Sequence, residues 1–274
     1  MAASWASYRT PTPTHRRLGL CCLGVGVQRG VVPCGPRTLP SHAAVLLTAG
    51  RGRLRVDSLE YELRAPVLFW LAPHQRHRYG PDRHGWAESW ALFDGPAVAG
   101  YADLGYLAGG SPVTELDDTG PVRRAFGDLV AICRQAGPDA DVQAALGVHQ
   151  LLGAIRQARS DLDPSAGPIL TALRRDAMLP LSVAEHARRL GRTTDEVRAT
   201  VRARTGCGVK EYLLQVRLTR AKELLAASRL SVGQVAREVG YADAGYFTRL
   251  FTRRVGVAPT EFRAQLRQPA ETDR

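Results

Sequence analysis

The segment Leu230–Gly240 reads LSVGQVAREVG, and 49 residues earlier Leu181–Gly191 reads LSVAEHARRLG. The likeness runs on past both glycines. Val197 and Val201 fall opposite Phe247 and Phe251, Gly206 opposite Gly256, and Glu211 opposite Glu261, one residue being added in the second copy. Such a repeat is a duplicated supersecondary unit. In the second copy Ser231 is placed to cap a helix whose Val232, Val235, Ala236 and Val239 recur at i, i+3, i+4 and i+7, the pattern of one buried face. Gly240 ends it, since glycine accepts the left-handed conformation that stops a helix and turns the chain. A further helix starts near Asp243 and buries Phe247, Leu250 and Phe251. The first copy follows the same plan: Ser182 caps, Val183, Ala187 and Leu190 are buried, Gly191 turns the chain, and a second helix runs from about Thr194 to Arg204. Two helices joined by a tight glycine turn form a helix-turn-helix.

The second helix of each unit leaves an outward face. In the second unit it carries Ala244, Gly245, Thr248, Arg249 and Thr252, small residues that allow close approach and an arginine suited to guanine O6 and N7 or to a phosphate. In the first unit it carries Asp195, Glu196, Arg198, Ala199 and Arg202, so two acids sit among the bases. Net charge points the same way. The 274 residues carry +11, of which +9 falls in residues 168–274 and only +2 in residues 1–167, which places an anionic partner, double-stranded DNA, on the C-terminal part. Between the units Leu214, Leu218, Ala221 and Leu225 outline one long amphipathic helix.

The run GYADAGYFTRLFTRRVGVAPTEFR, Gly240–Arg263, closely resembles the signature of the AraC/XylS transcription regulators, and the resemblance extends over roughly residues 169–267. It implies a domain of seven helices whose two recognition helices enter successive major-groove segments. Carried over position by position, the family's DNA contacts fall on Asp195, Arg198 and Ala199, and on Ala244, Gly245, Thr248 and Arg249. Arg202 joins them on the exposed side of the first helix. The family commonly has an arginine at Ala199 and large apolar residues at Thr200 and Val201. The second unit is therefore expected to carry most of the base reading and the first to position the protein on the duplex.

The N-terminal part reads differently. Residues 1–15, rich in Ser, Thr and Pro, read as a loose arm. From Leu18 to about Phe93, short apolar runs at Leu18–Val27, Ala43–Thr48, Arg53–Val56, Tyr61–Leu63 and Val67–Leu71 are divided by Gly, Pro and Asp, the spacing of strands in a barrel or sandwich. Helices follow, one with Val122, Phe126, Leu129, Val130 and Cys133 on one face. The next carries Val142, Ala145, Leu146, His149, Leu152 and Ile155, a stripe open to packing on the barrel or to forming a dimer seam. The fold class is thus α+β: a cupin-like β-barrel with C-terminal dimerisation helices, residues 1–160, a linker, 161–168, and an all-α DNA-binding domain, 169–267, followed by a disordered tail, 268–274.

The run GRGRLRVDSLEYELRAPVLFWLAPHQRHRY, Gly50–Tyr79, resembles the sugar-sensing, cupin-like barrel that precedes the DNA-binding domain in many such regulators. The resemblance implies a small-molecule effector, with Tyr61, Trp70, His77 and Trp90 as candidate contacts; aromatic side chains there also serve as core. His74, His77 and His84 raise the question of a metal, but no earlier strand supplies the His pair and Glu of catalytic cupins. No metal, cofactor or catalytic residue is expected. Cys21, Cys22, Cys34, Cys133 and Cys207 are odd in number and lack CxxC spacing, which fits a reducing cytoplasm. Arg16 and Arg17 before an apolar run imitate a secretion signal, but the run is short, glycine-rich and without a cleavage site. No stretch approaches the roughly 18 apolar residues needed to span a bilayer. The reading is a homodimeric, effector-controlled transcription regulator with RNA polymerase among its partners. Two alternatives stand beside it: a metal-dependent cupin enzyme anchored to DNA, and a constitutive DNA-binding protein whose barrel only dimerises.

Overall fold

Residues 4–107, 110–159 and 165–267 are described by a computed structural model. The chain divides into two compact units, 1–162 and 163–274. The first contains β1 (Trp5–Tyr8), α1 (Pro13–Arg16), β2 (Cys21–Gly30), β3 (Cys34–Arg37), β4 (His42–Val56), β5 (Leu59–Arg64), β6 (Val67–Leu71), β7 (His77–Asp94), α2 (Ala97–Asp103), β8 (Val113–Thr114), α3 (Gly120–Arg134) and α4 (Ala140–Ala158). The strands form one eight-stranded sheet in the order β1-β2-β7-β4-β6-β8, with β3 on β7 and β5 on β4, and every pairing is antiparallel.

Strand alternation divides this sheet between two cores. Along β4, Ala43, Val45 and Leu47 enter one cluster with Phe69, Tyr79 and Trp86. Ala44 and Leu46 enter the other, with Trp70, Phe93 and the apolar faces of α3 and α4. The α4 stripe is therefore mostly core: Leu152 and Ile155 are fully buried and Ala145 nearly so, while Leu146 stays half exposed. His149 is bound instead to Tyr101, whose hydroxyl lies 2.5 Å from its Nδ1.

Two expectations need correction. The loose arm contains strand β1, which extends the sheet by pairing with β2 from Trp5↔Val27 to Tyr8↔Gly24. The runs 43–48 and 53–56 belong to one strand, β4, which passes through the Thr48–Gly52 stretch by two register shifts. Such bulges bend a strand without ending it, so a glycine-rich stretch that looks like a turn continues the ladder.

The second unit contains α5 (Ala166–Arg175), α6 (Val183–Arg189), α7 (Thr194–Thr205), α8 (Val209–Ala227), α9 (Val232–Glu238), α10 (Ala244–Val255) and α11 (Pro259–Arg267). These seven helices are arranged around two cores. Val197 and Val201 of α7 pack with Ile169, Leu173 and Ala187; Phe247 and Phe251 of α10 pack with Val235, Ala236 and Val239. Helix α8 belongs to both, giving Val209, Tyr212 and Leu213 to the first core and Leu218, Ala221 and Leu225 to the second. Of the span read as a linker, residues 161–164 lie outside the described residues, and 166–168 open α5. The tail, 268–274, also lies outside them.

Candidate nucleic-acid interface

Each helix of the two repeats begins with a side-chain cap. The Ser182 and Glu185 pair exchange bonds at the start of α6: Ser182 N–H donates to the Glu185 carboxylate at 2.7 Å, and Glu185 N–H donates to Ser182 Oγ at 3.3 Å. Thr193 with Glu196 does the same for α7, and Ser231 with Gln234 for α9. Asp243 takes the N–H groups of Gly245 and Tyr246 at 2.7 and 3.1 Å at the start of α10, and these two bonds hold its carboxyl below the usual range. Reciprocal caps satisfy N–H groups that no helix can satisfy internally. The turns between paired helices use Gly191 at φ 63° and Gly240 at φ 84°. Gly240 has a second constraint, because a Cβ there would stand 2.4 Å from the Met178 carbonyl oxygen.

On α7, Asp195, Arg198, Ala199 and Arg202 are all exposed at i, i+3, i+4 and i+7, so they share one open face. Two of them are joined: Arg198 Nη1 lies 3.1 Å from Asp195 Oδ1. The sequence pattern puts Glu196 on this face as well, but its carboxylate reaches back to cap the helix. On α10, Ala244 and Thr248 are half-buried while Gly245 and Arg249 are exposed. The Arg249 guanidinium lies over Gly245, with Nη1 3.5 Å from where a Cβ would sit. The Thr248 hydroxyl donates to the Ala244 carbonyl at 2.8 Å, so its oxygen keeps lone pairs with which to accept. Exposed Tyr246 and Arg253 flank this face. Periodicity had not selected either; both sit one position beside the residues it did select.

Much of the C-terminal charge is already committed. Arg175 and Arg189 hold Asp176 at 2.8 and 3.2 Å, Arg254 holds Glu211 at 2.7 Å, and Arg220 holds Glu223 at 3.0 Å. Arg217, from α8, donates to the carbonyls of Ala177 and Leu179 at 2.6 and 2.9 Å and lies over the Tyr241 ring. Arg263 donates to the carbonyls of Leu225 and Leu230. These two arginines fasten each repeat's entry to its neighbours, a role that composition cannot distinguish from phosphate binding. What remains is unequal: with Arg254 committed, α10 still carries Arg249 and Arg253 and has no acid of its own, whereas α7 carries Asp195 and Glu196 among its arginines.

In the N-terminal unit the four candidate contacts do not converge. His77, Tyr61 and Trp90 belong to the cluster around Phe69 and Tyr79. Trp70 points to the helix-covered face, and its indole N–H donates to Thr114 Oγ1 at 3.1 Å. It therefore lies on the opposite face of the sheet from the other three. His77 is buried; its Nδ1–H donates to the Gln75 carbonyl at 2.9 Å, leaving Nε2 as an acceptor without a partner. Burial lowers the pKa of this imidazole. Nearby Glu88, absent from the sequence reading, is buried with Oε2 unpartnered, and burial raises its pKa to about 7. His74 occupies a turn at φ 60° and His84 lies exposed on β7; among the described residues no three His, Cys, Asp or Glu side chains gather as a metal group.

Comparison with known proteins agrees with this division. Residues 186–265 match the family model of a helix-turn-helix domain, and residues 32–152 that of an AraC-like ligand binding domain. The HTH-type transcriptional activator RhaR of Enterobacter sp. (strain 638) is 26% identical over 249 residues, covering 82% of this chain and 86% of that protein. The MmsAB operon regulatory protein of Pseudomonas aeruginosa is 27% identical over 247 residues, covering 83% and 76%. The capped, glycine-turned helix pairs and the two matched halves together place this chain in the AraC family of DNA-binding transcription regulators, with a ligand-binding domain preceding the DNA-binding one.

Proposed function

We propose that α10 reads base edges, through Ala244, Gly245, Thr248 and Arg249, and that α7 chiefly positions the protein on phosphates through Arg198 and Arg202, with Asp195 and Ala199 beside them. The observation that carries this reading is the Arg198–Asp195 ion pair set against the acid-free α10. A guanidinium engaged by a carboxylate must exchange that partner before it meets DNA, whereas Arg249 lies over Gly245 without an ion pair among the described residues, the carboxylate near it, Asp243, being taken up by the N–H groups of Gly245 and Tyr246. Operator selection from random duplexes, followed by scanning substitutions through both helices, tests it. Substitutions in α10 are expected to change the selected sequence, and those in α7 to weaken all sequences alike. Equal loss of discrimination from both helices would overturn the reading.

In the N-terminal unit, Tyr61, His77 and Trp90 are the proposed contacts for a small effector, and Trp70 leaves the set because it points to the helix-covered face. Ligand control requires the effector to favour one arrangement of the protein by differential affinity. The protein acts as a cytoplasmic homodimer, with half-exposed Leu146 of α4 in the contact, and RNA polymerase as the machinery it addresses. No helix among the described residues is long and apolar enough to cross a membrane.

A further inference from the structure

Away from the proposed effector contacts, a concavity lies between α3 and the strands that α3 covers. Its volume is about 250 Å³, and its lining includes Arg29 of β2, Thr48 of β4, Glu88 and Ser89 of β7, and Arg123, Gly127 and Arg134 of α3; Glu88 borders it through its backbone, because strand alternation sends its side chain to the opposite face with Trp86 and Trp90. Arg123, Gly127 and Arg134 are spaced i, i+4 and i+11, so they lie along one face of the helix. Arg29 and Ser89 stand on the facing side of the sheet, since their strand neighbours Val27 and Ala91 belong to the helix-covered core. Among the described residues none of the three arginines has a carboxylate partner; Arg134 lies 4.8 Å over the Trp5 ring, which orients it without neutralising it. Between Arg123 and Arg134 on α3, exposed Gly127 leaves the space beside it open, and nothing stands within 4 Å of where its Cβ would be. An exposed mid-helix glycine costs roughly 0.5–1 kcal/mol relative to alanine, and three like charges brought to one groove repel. Both features act against the fold of an unliganded protein and become favourable once an anion fills the space.

We infer that this groove is a second ligand site, separate from the proposed effector contacts, and that it takes a small metabolite with two or more negative charges, carboxylate or phosphate. Three guanidinium groups supply charge-assisted donors, and Ser89 adds a hydroxyl. The volume lies below the usual 300–1,000 Å³ of drug-sized pockets, which limits the ligand to a compact molecule. Helix α3 packs on α4 through Leu129 and Phe126. An anion bridging Arg29 to Arg123 and Arg134 therefore clamps the α3–α4 pair to the sheet, the pair to which the proposed dimer contact belongs.

Isothermal titration of the full-length protein with citrate and, separately, with inorganic phosphate tests this, with sodium chloride holding ionic strength constant. One equivalent of citrate, phosphate or both is expected to bind; which of the two binds more tightly separates a carboxylate from a phosphate ligand. Arg123→Ala should weaken the binding about tenfold or more, as expected for losing a charge-assisted contact. Gly127→Leu, which fills the groove while keeping all three charges, should abolish it. Should Gly127→Leu melt early without ligand, Arg123→Ala at its exposed position decides alone. His77→Ala and Arg249→Ala should leave it unchanged. Stoichiometric binding that survives Arg123→Ala, or that disappears in Arg249→Ala or His77→Ala, would move the anion to the DNA face or the effector contacts and overturn the inference, as would no binding of either anion by the wild type.

Discussion

Replacing Asp195 by asparagine should make the protein bind DNA more tightly. In the folded chain Asp195 Oδ1 holds Arg198 Nη1 at 3.1 Å, with the two side chains 90% and 63% exposed. Pairs so open to water contribute only a few tenths of a kcal/mol to stability, and the cap of α7 is made by Thr193 and Glu196, which the change leaves alone. The fold is therefore expected to be nearly unaffected. Its effect on DNA is larger, because the substitution both removes a negative charge from the exposed face and frees a guanidinium for a phosphate. One added phosphate contact steepens the dependence of log K on log salt by about 0.9. A charge-assisted bond, after the cost of ordering Arg198, corresponds to roughly tenfold in affinity at low salt. Fluorescence anisotropy with a random-sequence duplex of about three helical turns, repeated over a salt series, measures both quantities. D195N and wild type giving parallel lines would refute the role assigned to the pair. Arg198→Ala in the D195N background should return the slope to the wild-type value, which ties the gain to that one side chain.

Arg249→Ala should lower affinity for the selected operator by about 1–3 kcal/mol and relax preference at one base pair; an unchanged footprint would exclude Arg249 from the reader. Glu88 should make the N-terminal unit less stable as pH rises. Its folded pKa of about 7 lies above the ordinary 4.5, so its contribution is fully present below 4.5 and lost as pH passes through 7. E88Q should therefore raise stability by roughly 3 kcal/mol at pH 8 and by less than about 1 at pH 5. Urea unfolding followed by tryptophan emission reads this directly, because all four tryptophans lie in that unit, and an equal gain at both pH values would count against a buried carboxylate. The DNA-binding unit should show the opposite trend. His186 is buried with Nε2 unpartnered, and burial lowers its pKa, against a smaller raising effect of Asp176. Its stability is present above the ordinary value near 6.5 and falls as pH drops below it; His186→Gln should flatten that fall in circular dichroism melts at pH 7.5 and 5.5.

The repeats were legible because their signals are local. Apolar spacing, a Ser, Thr or Asp before each helix and a glycine after it all act within one or two turns, and α6, α7, α9 and α10 follow them. Strand β6 was legible for the same reason: Val67–Leu71 is an unbroken apolar run between turn residues. What stayed hidden depends on partners distant in sequence. The polar residues around Trp5–Tyr8 give no alternation strong enough to mark a strand, and β1 exists because β2 offers it an edge. The side to which Trp70 points follows from the register of β6 on β4, where Trp70 pairs with Ala44, and no local pattern supplies that register. Glu196 has the helix position of an acid facing DNA, but its side chain curls back to the N-terminus of its own helix, a choice that exposure alone does not reveal. Likewise the charge of +9 measures attraction to DNA only after Arg217 and Arg263, fastened to carbonyls, are set aside.

Helix α8 contributes to both cores of the DNA-binding unit without interruption over 19 residues, a rod of about 28 Å at 1.5 Å per residue. The operator this protein recognises should therefore tolerate no change in the gap between its two parts. One base pair added there rotates the second part by about a tenth of a helical turn, while the rod keeps α10 where it was. A genomic search for its sites is best made with a single fixed-gap pattern, and transplanting the second repeat onto a longer or shorter α8 would be a direct way to write a different gap.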